Sequence, residues 1–351
     1  MSAQHDGNGD EPREAHATVW HTAPPVLATY VHRIDPIVFS VAGLHLWWYG
    51  LGFALGFWQM HRYIQQHRVS LHLDARDGFA LSLMVIAGVL TGGRAIEILF
   101  DEWPFYHDHA SFIPRYWLGG MATHGLLLGA AVGCGLFCAI YQRSLLRVAD
   151  ALVIPGAFLM GLGRLGNFID GQIVGGITDV AWGVKFPDAE GFRHPVVLYD
   201  GLKNLLLVPY LMRVRATNPT PGAPAARFVF WYAFLRIFVD LFRDYPTHRL
   251  ALGTGQTLNL LMALTGAVLL VRSRWRSQGR LRHSAVAPDL EPGARRAALW
   301  WQRALLAALL IFCLFIPSNW TQNVPQRYGA RHAGLQHSWI YPDIDTAPRP
   351  R

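Results

Sequence analysis

The sequence predicts an all-α polytopic membrane protein, with a seven-helix core followed by one extra C-terminal transmembrane helix. Of its 351 residues, 52% are hydrophobic and only 15% are charged, whereas soluble domains carry about 25% charged residues. The apolar residues also fall into long blocks, close to the ~20 residues that a membrane-spanning helix needs. Together these observations argue against a soluble enzyme.

Eight apolar blocks, separated by short connectors, each predict one helix. They cover 38–60, 78–100, 119–141, 149–168, 196–212, 228–242, 254–271 and 299–317. Between and around them we expect a polar N-terminal segment (1–37), a seven-helix core (38–272) with an outer loop (169–195), a basic linker (273–298), an extra span (299–317) and a tail (318–351). Because 1–37 lacks a basic stretch followed by an apolar core, we expect no signal peptide there.

The arginine distribution predicts the orientation of the chain. Connectors 61–77, 142–148, 213–227 and 272–303 are rich in arginine, and the alternate connectors are not. The positive-inside rule places the arginine-rich side in the cytoplasm, so we expect both termini in the periplasm. The net charge is +8. Much of it comes from arginines that lie beside apolar segments and form no continuous stripe. Nucleic acid is therefore not an expected partner.

The cysteines and histidines predict neither a disulfide framework nor a metal site. Cys134, Cys138 and Cys313 all lie inside apolar blocks. Residues 106–109 contain two histidines and an aspartate but lack a further ligand at helical or hairpin spacing, so we interpret them as an outer polar loop. No nucleotide-binding loop or redox motif is present, and we expect no cofactor.

Ionisable residues inside the apolar blocks are the first candidates for a site, because each costs at least ~2.5–3.5 kcal/mol at the centre of a membrane helix. Arg94 and Glu97 stand three apart on one helix, as a structural pair or as part of a site, and both interpretations stay open. Asp200 and Lys203 repeat this spacing near an outer helix end. There a structural pair with Lys203 extending towards the interface is favoured.

One later helix carries three such candidates on a shared face. They are Tyr232, Arg236 and Asp240, each four residues from the next. This spacing places successive side chains one above another.

A glycine-rich segment over 161–172 places Arg164 between glycines and follows it with Asn167. Glycines let a ligand or another backbone approach closely, and arginine binds anions through paired hydrogen bonds. Small residues are also typical of packed membrane helices, so a packing face with Arg164 extended to the interface is the alternative. His124, in the string 119–125, is expected at the same depth, as a packing residue or as a catalyst.

At these residues the chain resembles the prolipoprotein diacylglyceryl transferases of bacterial inner membranes. The family hallmark Gly-Arg-x-Gly-Asn-Phe-x-Asn-x-Glu is similar to residues 163–172. Other family-like strings follow the expected order, at 35–40, 46–51, 92–94, 119–125, 193–195, 198–199 and 232–243. The resemblance covers about 33–272, so the last span and the tail lie outside it.

The resemblance implies a seven-helix transferase core whose active site faces the periplasmic leaflet. There a diacylglyceryl group would move from phosphatidylglycerol to the lipobox cysteine thiol in the signal peptide of a preprolipoprotein, releasing glycerol 1-phosphate. The family's essential residues fall on Tyr49, His124, Arg164, Asn167, Gly171, Tyr232 and Arg236. His124 would be the general base, and Arg164 with Arg236 the phosphate clamp. Further candidates for substrate binding are Arg94, Asp170 and Asp240.

The chain also departs from the family pattern. Gln172 stands where the hallmark has its acid, and Asp200 and Asp240 stand where the family has glutamate. We expect Asp170 to restore the negative charge beside Arg164, so that Asp170→Asn is severe and an added Gln172→Glu restores activity. The alternatives are a same-fold paralogue with another lipid donor or acceptor, and a non-catalytic lipid-binding or transport protein.

Overall fold

The computed structural model describes residues 30–218, 220–243, 254–276, 292–318 and 323–344. The predictions for most of the N-terminal segment, for most of the 273–298 linker and for the end of the tail therefore lie outside the described residues.

The described chain is mostly helical, which confirms the predicted fold class. Its long helices are α1 (Trp48–His67), α2 (Ala75–Ile96), α4 (Thr123–Ile140), α5 (Leu145–Ile169), α6 (Val196–Thr217), α7 (Ala223–Asp240), α8 (Thr254–Arg276) and α9 (Pro292–Cys313). The short elements are α3 (Trp103–Asp108), α10 (Val324–Tyr328), β1 (Tyr30–Val31), β2 (Ile37–Val41), β3 (Leu44–Trp47) and β4 (Val184–Lys185).

Among the described residues, four helical segments are long and apolar enough to cross a membrane, judged by length and composition. They are Ala75–Phe100, Thr123–Ile140, Leu145–Ile169 and Gly255–Ser273. The other long helices carry more polar residues or shorter apolar stretches, which suits helices that pack against neighbours and line a polar interior.

The prediction of a helix from residue 38 is wrong, because 38–47 form most of a β-hairpin. Strands β2 and β3 pair antiparallel, and α1 begins only at Trp48. The turn residues Ala42 and Gly43 have φ angles of +49° and +80°, as a tight two-residue hairpin turn requires. Hydropathy reports burial and not backbone geometry, so an apolar hairpin that leads directly into a helix looks like one long span.

Close glycine contacts bring α2 and α4 together. A Cβ atom on Gly92 would lie 2.8 Å from the Cα of Gly129, closer than real Cβ atoms come to other atoms. Only residues without side chains permit this backbone approach, which is typical of membrane helix pairs. The last turn of α2 therefore lies against the first turns of α4.

The helices bring the polar candidates to one end of the bundle. We call this the site end: α1, α4, α6 and α8 begin there, and α2, α5 and α7 finish there. At the opposite end Arg143 pairs with Asp77 at 2.7 Å. Asp150 there accepts hydrogen bonds from the backbone N–H groups of Gly222 (2.6 Å) and Ala225 (2.9 Å), which fixes the start of α7.

Candidate active site

The centre of the site end is Asp200, a fully buried residue in the first turns of α6. One of its carboxylate oxygens, Oδ2, accepts from Arg164 Nε and from Arg236 Nη1, each at 2.6 Å. The other oxygen, Oδ1, lies 2.9 Å from the Nζ of Lys203. Three cations from three helices therefore converge on one carboxylate.

Arg164 is held by side chains throughout. Its Nη1 donates to Asn167 Oδ1 at 3.0 Å and its Nη2 to Thr123 Oγ1 at 3.1 Å, in addition to the bond to Asp200. It is only 8% exposed. The alternative in which Arg164 extends out to the interface is therefore wrong.

Two glycines let neighbouring helices close on Arg164. A Cβ on Gly166 would lie 2.6 Å from the Cα of Tyr49, and a Cβ on Gly201 would lie 3.1 Å from the Cβ of Arg164. Any side chain at Gly166 would push α1 away and carry Tyr49 with it. The glycine-rich segment thus packs helices and also builds the charged cluster, so the two interpretations of this segment are compatible.

Arg236 extends the cluster to α8 and α4. Its Nη2 lies 3.0 Å from Asp240 Oδ1, and Asp240 Oδ2 accepts from the Nδ2 of Asn259 at 2.8 Å. Asn259 in turn hydrogen-bonds the side chain of His124. One chain of contacts therefore connects His124 to Arg236 and, through Asp200, to Arg164.

Tyr232 and Lys203 close the cluster on its inner side. The Lys203 Nζ lies 3.9 Å from the centre of the Tyr232 ring and donates to the Tyr232 backbone carbonyl at 3.3 Å. Lys203 pairs with Asp200 as expected, but it is only 7% exposed and does not extend to the interface. A cation over an aromatic face is stabilised most when it is removed from water.

The cluster carries more positive than negative charge. Arg164, Arg236 and Lys203 face two carboxylates, those of Asp200 and Asp240. Three cations around two carboxylates leave a net positive charge on the cluster, which attracts an anion. The arginines can bind a phosphate through paired hydrogen bonds without first losing a proton.

Arg94 lies in a different environment from the one we expected. Its guanidinium donates to the backbone carbonyls of Phe112, Ile113, Arg115, Gly119 and Gly120. It also lies 5.1 Å from the Tyr106 ring centre and 5.5 Å from that of Tyr116. These contacts hold the loop between α2 and α4. We therefore interpret Arg94 as a residue that positions the segment leading to His124, and not as one that binds substrate.

Asp170 also lies in a different environment from the one we expected. It is fully buried, and its Oδ2 accepts from the backbone N–H of Ser318 at 3.0 Å. The acid that hydrogen-bonds Arg164 is Asp200, so Asp170 does not replace the carboxylate absent at Gln172. Burial raises the pKa of Asp170 to about 7. Gly171 follows with a φ angle of +68°, a conformation that suits glycine.

Sequence reasoning missed two partners of the predicted residues and misplaced a third residue, Lys203, which it expected at the interface. Thr123 bonds Arg164, Asn259 bonds both Asp240 and His124, and Lys203 is part of the buried cluster. Thr123 stands directly before His124 in a family-like string, which was an available signal. Asn259 had none, because it lies in none of the family-like strings.

The remaining polar candidates lie apart from the cluster. His107 pairs with Asp108 at 2.9 Å at the exposed end of α3. Within the described ranges no group of three or more His, Cys, Asp or Glu side chains could hold a metal ion, and Cys134, Cys138 and Cys313 are buried free thiols.

Fold and site together define the class: a helical membrane protein with a buried, cation-rich cluster at one end of its bundle. The family model of prolipoprotein diacylglyceryl transferase matches residues 36–272, and the chain belongs to this family. Helix α9 and the tail follow the matched region.

Curated relatives agree with the family assignment. The phosphatidylglycerol–prolipoprotein diacylglyceryl transferase of Pasteurella multocida is 31% identical over 263 residues, which is 71% of this chain and 96% of that protein. The enzyme of the same name from Geobacter sulfurreducens is 35% identical over 255 residues, covering 69% and 97%. That of Nitrosomonas europaea is 34% identical over 251 residues, covering 68% and 89%.

Proposed function

We propose that this protein transfers the diacylglyceryl group of phosphatidylglycerol to the lipobox cysteine thiol of preprolipoproteins and releases glycerol 1-phosphate. The observation that carries the proposal is the convergence of Arg164 and Arg236 on Asp200, with positive charge in excess. The names of the relatives support the same donor and the same class of acceptor.

The donor phosphate would bind between Arg164 and Arg236. Each arginine would exchange part of its contact with Asp200 for a phosphate oxygen, and the carboxylate would remain paired with Lys203. Asn167 and Thr123 would hold the guanidinium of Arg164 in place. Preorganised donors of this kind stabilise charge as it develops on the leaving group.

The reaction needs a base for the acceptor thiol. His124 would accept the thiol proton, and the thiolate sulfur would attack the glyceryl carbon that bears the phosphate oxygen. A carbon–sulfur bond forms as the carbon–oxygen bond breaks, and the electron pair leaves with glycerol 1-phosphate, whose charge the arginines bind. The hydrogen bond to Asn259 orients the His124 ring for this step.

We further propose that the protein lies in the bacterial inner membrane, with the site end facing the periplasm and both termini on that side. The support is the arginine-rich opposite side of the bundle. An alkaline phosphatase fusion after Arg351 should be active, and one at residue 285 inactive. The reverse result would invert the orientation.

Complementation tests the activity. The gene should restore growth to a strain depleted of its own diacylglyceryl transferase and should restore lipidation of a reporter lipoprotein. Arg236→Ala should fail, whereas the matched control Arg227→Ala should succeed, because Arg227 sits at the other end of α7 and bonds the carbonyl of Ala223 in its own helix. Full insertion of the wild-type protein without reporter lipidation would contradict the proposal and point to another donor or acceptor.

A further inference from the structure

The C-terminal part of the chain, which follows the matched family region, is built into the site end. Helix α9 finishes beside the start of α1, where the Trp47 backbone N–H donates to the Leu314 carbonyl at 2.9 Å. A Cβ on Gly50 would collide with the carbonyl of Cys313. Gly50 is the neighbour of Tyr49, so α9 packs directly against the turn that carries a candidate site residue.

The tail beyond α9 contacts the end of the hallmark segment. Arg327 Nη2 donates to Gln172 Oε1 at 2.6 Å, and Gln172 is only 3% exposed. Arg331 Nη2 donates to the Asp170 carbonyl at 2.9 Å. Together with the hydrogen bond from the Ser318 backbone N–H to Asp170, these contacts fix the loop from the side of the C-terminal tail.

This loop needs external support because its backbone is strained. Ile173 has a φ angle of +59°, an uncommon value that is especially unfavourable for a β-branched residue. Such conformations persist only where surrounding contacts fix them. The C-terminal tail supplies contacts of this kind on one side of the loop, and backbone pairing of Gly175 with His194 supplies them on the other.

The loop is also connected to the charged cluster. The backbone N–H of Gln172 donates to the Asn167 carbonyl at 3.1 Å, and the Asn167 side chain accepts from Arg164. A continuous path of hydrogen bonds therefore runs from Arg327 through Gln172 and Asn167 to Arg164.

We propose that Arg327 is a positioning residue, which fixes the loop over 168–176 through Gln172 and thereby sets the affinity for the lipid donor. The proposal rests on the proposed function. It also gives Gln172, which stands at the family's acidic position, a role in this chain: its amide oxygen accepts from Arg327.

The test uses the purified full-length protein and three variants. Arg327→Ala removes the contact, Arg327→Lys keeps one charged donor, and the matched control Gln326→Ala changes the adjacent residue, which is also exposed and lines an open groove on the tail. The assays measure kcat and KM with phosphatidylglycerol in detergent micelles and a lipobox peptide. Hydrogen exchange of the amides in 168–176 reports the loop itself.

Arg327→Ala should speed amide exchange in the loop and raise the KM for phosphatidylglycerol, each about tenfold, as expected for loss of a hydrogen bond to a charged group. The kcat should stay within about twofold, because Arg327 touches no reacting atom. Arg327→Lys should recover part of both effects, and Gln326→Ala should behave like the wild type.

Three outcomes decide the proposal. Unchanged exchange and unchanged KM in Arg327→Ala would overturn it. Equal effects of Arg327→Ala and Gln326→Ala would also overturn it, because the tail would then matter only as a whole. Faster loop exchange in Arg327→Ala, together with a wild type that does not turn over phosphatidylglycerol, would support the positioning of the loop and reject the proposed function.

Discussion

Arg94 and Arg164 are both buried arginines near the site end, 3% and 8% exposed, yet they are satisfied in opposite ways. Arg94 donates to backbone carbonyls of one loop, whereas Arg164 donates to the side chains of Thr123, Asn167 and Asp200. Backbone acceptors cannot leave without unfolding the loop, but side chains can rotate away. Burial of an arginine therefore does not by itself identify a functional site, whereas the kind of hydrogen-bond acceptor that it contacts does.

The largest effect should follow loss of the shared carboxylate. Asp200→Asn leaves Arg164, Arg236 and Lys203 without their common partner, and removal of one member of a buried ion pair costs about 3–5 kcal/mol. We expect a large drop in thermal stability in detergent and no lipidation in a membrane assay. Wild-type stability in this variant would show that the three cations find other acceptors and that Asp200 does not organise the cluster.

The contrast between the two arginines predicts different losses for the same substitution. Arg164→Lys keeps the charge but loses the paired geometry for phosphate, and each hydrogen bond to a charged group contributes about 1.5–3 kcal/mol. We expect turnover to fall more than a hundredfold while the melting temperature changes little. Arg164→Ala should be at least as impaired.

Arg94→Lys should show the opposite pattern. One ammonium group cannot reach the carbonyls that the guanidinium bonds, so buried acceptors lose partners and the protein melts at a lower temperature. Activity per folded molecule should remain. If both variants lose activity and stability in the same proportion, the distinction between the two arginines fails.

His124→Gln should lower turnover by about a hundredfold, within the range for loss of a general base. Glutamine keeps a hydrogen-bonding side chain beside Asn259 but cannot take up a proton near neutral pH. Binding of phosphatidylglycerol should change less than turnover does, as measured by titration of the purified variant. Equal losses in binding and turnover would make His124 a headgroup contact.

The smallest effect concerns Asp170, and it depends on pH. Because the pKa of Asp170 in the folded protein, about 7, exceeds the ~3.9 of an unfolded aspartate, the folded state holds the proton more tightly. The free energy of unfolding should therefore decrease as the pH rises from about 4 to about 7. Asp170→Asn cannot ionise, so its melting temperature should vary less between pH 5 and pH 8.

The stability of Asp170→Asn at pH 5 should lie within about 1 kcal/mol of the wild type, since an amide oxygen can still accept from Ser318. Identical pH profiles for the two proteins would place the titration elsewhere. A severe loss of turnover in this variant would instead restore the direct role beside Arg164 that the sequence suggested.

Much of the architecture was predictable because it depends on composition along the chain. Each apolar block overlaps a helix, and the alternating helix directions carry Tyr49, His124, Arg164 and Arg236 to the same end of the bundle. The hairpin before Trp48 was missed because its strands are as apolar as a span. Its turn depends on two backbone angles that hydropathy does not report.

The hydrogen-bond partners of the candidate site residues were less predictable than the candidate residues themselves. Arg164 was recognisable from its flanking glycines, but its acid could have been Asp170, close in sequence, or Asp200, 36 positions further on and beyond the outer loop. Only the packing of α6 against α5 decides between them. The tail contacts with Asp170 and Gln172 were equally inaccessible, because they join residues more than 140 positions apart.

The central claim is that Arg164 exchanges side-chain partners for a lipid phosphate, and a binding comparison tests it most directly. The dissociation constants of short-chain phosphatidylglycerol and of the phosphate-free diacylglycerol would be measured in neutral detergent for the wild type, Arg164→Lys and Arg94→Lys. We predict a strong preference for phosphatidylglycerol in the wild type and in folded Arg94→Lys, and a preference at least about tenfold weaker in Arg164→Lys. The same preference in all three proteins would contradict the account.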